Sequence, residues 1–173
     1  MITKIWNKIK FKKLKIISVY KNELKDIFAN FGKQSQKYSS FGPFYEFYLY
    51  CFTIGFHSNK RIKLDTKETA TFNSVYEWKE NQQIIFKNFL TALICEDDIR
   101  DETDFDFFSM ENIDDSEVNK RIDSLIRVFE EFANGGFEIF NNAYNNDPEE
   151  FYDFRSLYGF FEEKVNNSKR LKK

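Results

Sequence analysis

Between Phe44 and Phe56 nearly every residue except Glu46 is apolar or aromatic. Ser40-Phe41-Gly42-Pro43 precedes the run with turn residues, and proline suits the first turn of a helix. A helix that is apolar on every side cannot rest on a surface, so this one belongs in the middle of a core. The rest of the chain is read by asking which segments can surround it.

Residues 21–31 place Leu24, Ile27, Phe28 and Phe31 at helical spacing and stop at Gly32. Lys33 to Ser40 is a polar loop. Residues 1–20 mix helical and alternating periods: Ile2, Ile5, Trp6 and Ile9 fit a helix, while Ile9, Phe11, Leu14 and Ile16 fit a broken strand pattern. Lys60 to Leu64 alternates as a strand or an extended loop would, and residues 60–76 are the place for a short strand or hairpin. Lys79 to Cys95 reads as a helix with Phe86, Phe89, Leu90 and Leu93 as its buried stripe.

Asp114 and Glu117 have capping-box spacing, and the helix they start carries Val118, Ile122, Leu125, Ile126, Phe129 and Phe132 on one face. Asn134-Gly135-Gly136 supplies residues that tolerate positive φ and close backbone approach, so the spacing predicts a structural turn there, with helical spacing resuming at Phe137, Phe140 and Tyr144. Asp147 caps a last helix with Pro148 in its first position and Phe151, Phe154, Tyr158, Phe161 and Val165 on the docked face. The expectation is a mainly α fold: one compact helical domain of about five to six helices over residues 21–166, preceded by a basic segment 1–20 and followed by a basic tail 167–173.

The 173 residues fit one domain, and 22 Phe and 9 Tyr give it ample core material. Abundant Phe, Tyr, Ile, Asn and Lys with scarce Gly and Pro is also the pattern of AT-rich coding, so position must carry the argument rather than number. The net charge of −2 is unevenly spread. Residues 1–33 hold nine Lys against Glu23 and Asp26, a net +7, and residues 96–117 hold eleven acids against Arg100, a net −10. Lysines interrupt every stretch that could serve as a signal-peptide core, and no apolar run approaches a membrane span of about 18 residues. Cys51 and Cys95 sit in apolar runs as small buried hydrophobes, which fits a reducing, cytoplasmic setting.

Candidate chemistry is sparse. His57 is the only histidine, and at a helix end after Gly55-Phe56 it suits a capping or turn role better than the base of a hydrolytic triad. Glu96, Asp97, Asp98, Asp101, Glu102, Asp104 and Asp106 lack the glycine-punctuated alternation of a calcium loop and read as a solvated acidic face. Asp65 with Glu77-Trp78-Lys79 echoes the acid and Glu-x-Lys arrangement with which restriction-type nucleases hold a divalent metal, giving a small Mg-dependent nuclease as an alternative. No phosphate-cradling glycine loop or nucleotide fingerprint is present, and no cofactor is expected. Lys8, Lys10, Lys12, Lys13 and Lys15, with Lys4 beside them and Trp6 and Phe11 interleaved, could meet nucleic-acid phosphates and stack on bases. Lys60 and Arg61 form a second basic cluster. The competing expectation is that the N-terminal lysines meet the acidic 96–117 segment.

Two stretches carry a family resemblance. Ile54-Gly55-Phe56-His57-Ser58-Asn59-Lys60-Arg61-Ile62-Lys63-Leu64, closing the apolar helix, and Phe129-Glu130-Glu131-Phe132-Ala133-Asn134-Gly135-Gly136-Phe137-Glu138-Ile139 together resemble the fourth of the DNA phosphorothioation (dnd) system-associated proteins. The resemblance implies a bacterial DNA-modification-linked defence context and transfers no catalytic residue. The expected function is therefore a non-enzymatic accessory protein that docks a protein partner and contacts DNA through its basic N-terminal segment. A third reading is an oligomeric structural protein held by its aromatic C-terminal helix.

Overall fold

A computed structural model describes residues 2–29, 41–151 and 153–167. The chain is mainly helical, with seven α-helices and one two-stranded sheet among the described residues. In order these are α1 (Ile2–Ile9), β1 (Lys13–Ile17), α2 (Ser18–Phe28), α3 (Phe44–His57), β2 (Thr69–Ser74), α4 (Glu80–Cys95), α5 (Asp97–Thr103), α6 (Asp115–Asn146) and α7 (Phe154–Asn166). No helix among the described residues is long and apolar enough to cross a membrane. Contacts divide the chain into two units, residues 1–15 with 71–130 and residues 16–70 with 131–173. The expected stop at Gly32, the loop 33–40 and the tail from 168 onward lie outside the described residues.

The ambiguous first twenty residues use both periods in turn, a helix and then a strand. The strands are antiparallel: Ser18 N donates to Glu68 O and Tyr76 N to Lys10 O, so both ends of the ladder share one register. That register sets Lys13 opposite Asn73 and Lys15 opposite Thr71 on the exposed face, with Leu14 pointing inward. The basic Lys60–Leu64 stretch has no regular secondary structure; the strand begins at Thr69.

In the unit of residues 1–15 and 71–130 the core gathers around Phe86, whose ring lies 5.5 Å from that of Trp78 and 4.8 Å from that of Phe129. Phe86, Leu90 and Leu93 form the buried stripe of α4 as expected, while Phe89 is only half-buried. The acidic stretch presents an exposed acidic face, as expected, with Asp97, Asp98, Asp101, Glu102 and Asp104 all exposed. It forms α5, which buries Ile99 and Thr103 and ends at Asp104 in the left-handed conformation (φ 49°). Cys95 is exposed, contrary to the sequence expectation, because it falls in the last turn of α4 on the face opposite Leu93.

The unit of residues 16–70 and 131–173 has an aromatic core. Phe47 lies 5.1 Å from Phe137 and 5.0 Å from Phe140, and Phe140 lies 4.8 Å from Phe28 and 5.0 Å from Phe151. These edge-on geometries are the favoured ones for rings carrying opposed face and edge charge. Helix α3 is buried through most of its length, as its composition requires, and burial drives the Cys51 thiol well above its ordinary pKa.

Two sequence expectations are corrected in this unit. Asn134-Gly135-Gly136 does not turn the chain: α6 runs unbroken through it, and residues 128–137 are all buried. The glycines serve close approach instead. A Cβ on Gly136 would sit 1.7 Å from Cys51 O, and one on Gly55 would sit 1.9 Å from Phe132 O, so α3 and α6 cross backbone to backbone. Pro148, second, opens a short 3₁₀ turn (Pro148–Phe151) rather than the last α-helix. Asp153 caps α7, accepting from Ser156 N at 2.9 Å, and this hydrogen bond is the main reason its carboxyl is held below the usual range. The later start rotates the docked face onto Leu157 and leaves Phe154 and Tyr158 outside, 72% and 53% exposed.

Candidate functional site

The six lysines of residues 1–15 divide into two groups. Lys8 Nζ lies 3.2 Å from Asp115 Oδ1 and 3.1 Å from Asn119 Oδ1, and Lys4 Nζ is 3.2 Å from the same Asp115 oxygen. Lys12 Nζ lies 2.5 Å from Asp123 Oδ1. Helix α6 carries these carboxylates on its exposed face, and the hydrogen bond from Lys4, followed by that from Lys8, holds the Asp115 carboxyl below the usual range. Part of the competing expectation is thus realised, since basic α1 does meet the acidic 96–117 segment. Several other acids of that segment pair with arginines: Asp104 with Arg121, Glu102 with Arg127 and Asp97 with Arg100. Asp106 instead accepts from the backbone N–H groups of Ser109 and Phe108, which lower its pKa.

The second group is Lys10, Lys13 and Lys15. Lys10 Nζ stands 5.3 Å from the ring centroids of both Phe11 and Tyr76, which are themselves 5.1 Å apart. Phe11 and Tyr76 are 58% and 56% exposed. Lys13 and Lys15 project from the exposed face of β1 beside Thr71 and Asn73 of β2. Strand pairing therefore builds a small outward surface of three lysines, two open aromatic rings and two short polar side chains. Trp6, by contrast, is half-buried with its ring 6.3 Å from Phe86, and serves packing. Tyr76 is the member that sequence reading missed; its only signal was its position just after a segment that could pair with residues 10–15.

Lys60 and Arg61 are placed quite differently. Helix α3 ends in a Schellman motif: Asn59 is left-handed (φ 50°), Asn59 N donates to Phe56 O, and Lys60 N donates to Gly55 O. That ending directs the following residues along α6. Lys60 O lies where a Gly135 Cβ would meet it at 2.0 Å, and Lys60 Nζ pairs with Glu138 at 2.6 Å. Arg61 binds the buried Glu131 carboxylate through Nε at 3.0 Å and Nη2 at 2.5 Å, with its guanidinium 5.4 Å from the Phe132 ring. His57 is the last residue of α3, in keeping with its expected place at a helix end.

Three buried polar residues of α6 complete the picture. Glu131 holds Arg61; Glu130 Oε1 accepts from Lys15 N at 2.8 Å; Asn134 Oδ1 accepts from Ile17 N at 2.8 Å. Lys15 and Ile17 have their N–H groups on the side of β1 away from β2, so Glu130 and Asn134, one helical turn apart, satisfy donors that the two-stranded sheet leaves over. The polar residues of the Phe129–Ile139 stretch are thereby accounted for by architecture.

Asp65 is exposed in the turn after Leu64 and belongs to the unit of residues 16–70 and 131–173. Glu77 and Lys79 are exposed in the other unit, Glu77 closing a short 3₁₀ turn and Lys79 at the N-cap of α4. Among the described residues no three His, Cys, Asp or Glu side chains converge as a metal site. Compared with protein-family models, curated proteins and solved structures, the chain matches none.

Proposed function

We propose that this chain is a non-enzymatic interaction protein that contacts nucleic acid through the face formed by Lys10, Phe11, Lys13, Lys15 and Tyr76. Its setting is the one implied by the family resemblance, a bacterial DNA-modification-linked defence system in which it docks a partner protein. The observation that carries the reading is the Lys10 ammonium held over two exposed aromatic rings at the end of a lysine-bearing strand. Cations neutralise phosphates and open rings receive bases. Lys60 and Arg61 drop out of the contact surface because Glu138 and Glu131 hold them. Fluorescence anisotropy with labelled nucleic acid tests this: binding should weaken steeply with salt and vanish when Lys10, Lys13 and Lys15 are all changed to Ser. Binding that ignores salt would contradict it.

The outer face of α7 favours a second reading, self-association. Phe41, Tyr50, Phe154, Leu157, Tyr158 and Phe161 line an apolar cavity of about 230 Å³ at the surface. If this face joins two copies, Phe154→Ser with Tyr158→Ser lowers the mass measured by light scattering; an unchanged mass removes the reading.

A further inference from the structure

We propose that two copies of this chain pair through α7, with the two helices antiparallel and related by a two-fold axis at Tyr158; this rests on the self-association reading above and gives it an orientation and a register. Helix α7 carries more apolar surface than the core covers. One face docks on α3: Leu157 is buried, Tyr50 Oη donates to Leu157 O at 2.8 Å, and the Tyr50 ring lies 5.3 Å from that of Phe161. A second row, Phe154, Tyr158, Phe161 and Val165, recurs at intervals of four, three and four and so runs straight along one flank of the helix. Phe161 belongs to both. Phe154 and Tyr158 stay more than half exposed. A helix with two apolar faces needs two covers, and among the described residues the fold supplies one.

The flanking row borders the apolar cavity of about 230 Å³. A cavity of about 150 Å³ lined by apolar side chains already admits a benzene ring, so this one has room for the ring of an incoming phenylalanine. Projecting rings and a cavity that takes a ring thus lie on one face, and a two-fold axis is the operation by which a single face meets itself.

Charge sets the direction. Arg155 and Glu162 are both exposed on the same side of the row, two turns apart, or about 10.5 Å along the axis. When two copies of α7 cross antiparallel at Tyr158, Phe154 of one lies beside Phe161 of the other, and Arg155 of one lies beside Glu162 of the other. Symmetry makes each pairing twice, so both charges of the strip meet their opposites. A parallel pair in register would set each strip against the Leu157 side of the other helix, with Arg155 and Glu162 at different heights. Because α7 has only 13 residues, the interface is small and the dimer dissociates reversibly.

Sedimentation equilibrium of the full chain, over a concentration series reaching about 0.5 mM, reads the association. The wild-type chain should distribute between monomer and dimer. Arg155→Glu alone, and Glu162→Arg alone, should each weaken dimerisation by about three- to tenfold, because like charges then face one another at both ends of the contact. Arg155→Glu combined with Glu162→Arg should bring dimerisation back to within about twofold of the wild-type chain, since the exchanged charges meet again across the axis. That restoration separates lost pairing from misfolding. Single variants that dimerise as tightly as the wild-type chain, or a double exchange that stays as weak as the singles, overturn the antiparallel pairing and leave self-association in place. A wild-type chain that stays monomeric throughout overturns both and leaves the α7 face to a partner of another kind.

Discussion

The two units of this chain use polar and charged groups in opposite ways. In residues 16–70 and 131–173, charge is turned inward: Glu131 is buried against Arg61, Asn134 is fully buried on Ile17 N, and glycines let α3 and α6 touch backbone to backbone. In residues 1–15 and 71–130, apart from the buried Glu130, charge is turned outward: Lys4, Lys8 and Lys12 meet exposed carboxylates, and Lys10 stands over open rings. A buried pair is costly to break because desolvation leaves no alternative partner, whereas an exposed pair exchanges readily with water and salt. The first arrangement fixes a structure; the second leaves cations available to exchange a carboxylate or ring for a ligand.

The largest break in this contrast should come at the helix crossing. Gly136→Leu puts a side chain where Cys51 O already lies, forcing α3 and α6 apart. A loss of about 3 kcal/mol or more is expected, read as a lowered urea midpoint or failure to fold. Arg61→Met should cost somewhat less, about 2–3 kcal/mol, because Glu131 is left buried without its guanidinium while Arg61 itself is partly exposed. Urea unfolding at high and low salt would show a loss that salt barely changes.

Gly159 lies in the same unit as Gly136 but in open space. It is a helical glycine with nothing within 4 Å of its would-be Cβ, so Gly159→Ala should raise stability by up to about 1 kcal/mol by the same urea assay. Two glycines in one unit then differ in sign, and only the one at the crossing is required.

The smallest effect belongs to the exposed pairs. The Asp115 carboxyl is held below its ordinary range by Lys4 and Lys8 in the folded state. Its contribution is therefore present above the unfolded carboxylate pKa and is lost as pH falls through the lowered folded value. Asp115→Asn should therefore lower the neutral plateau slightly, with the two proteins converging in stability as pH falls below about 4.

Much of the architecture could be read from the sequence where one local signal was strong. The apolar run after Pro43 and the stripe of Phe86, Leu90 and Leu93 gave their helices to within a residue or two. Asn134-Gly135-Gly136 misled because glycine serves both a turn and a close approach, and the choice is made by Gly55 and Lys60, far away in sequence. Asp147 and Asp153 both offer a side chain to nearby backbone donors, and only packing selects the second as the cap of α7. The lysines of the candidate surface were legible as a group. Which of them α6 would occupy was not, because Asp115 and Asp123 are set beside α1 by tertiary packing. Tyr76 joins Phe11 only through strand register.

The Asn134–Gly136 stretch is thus architecture, and the lysine strand is the proposed contact surface. A titration of the ¹⁵N-labelled chain with a single-stranded oligonucleotide, followed by amide chemical shifts, tests this division most directly. Shifts confined to residues 10–15 and 71–76, with Arg61 and Asn134 to Gly136 unmoved, are the predicted result. Shifts largest at Arg61 and Asn134 to Gly136, with residues 10–15 still, would contradict it.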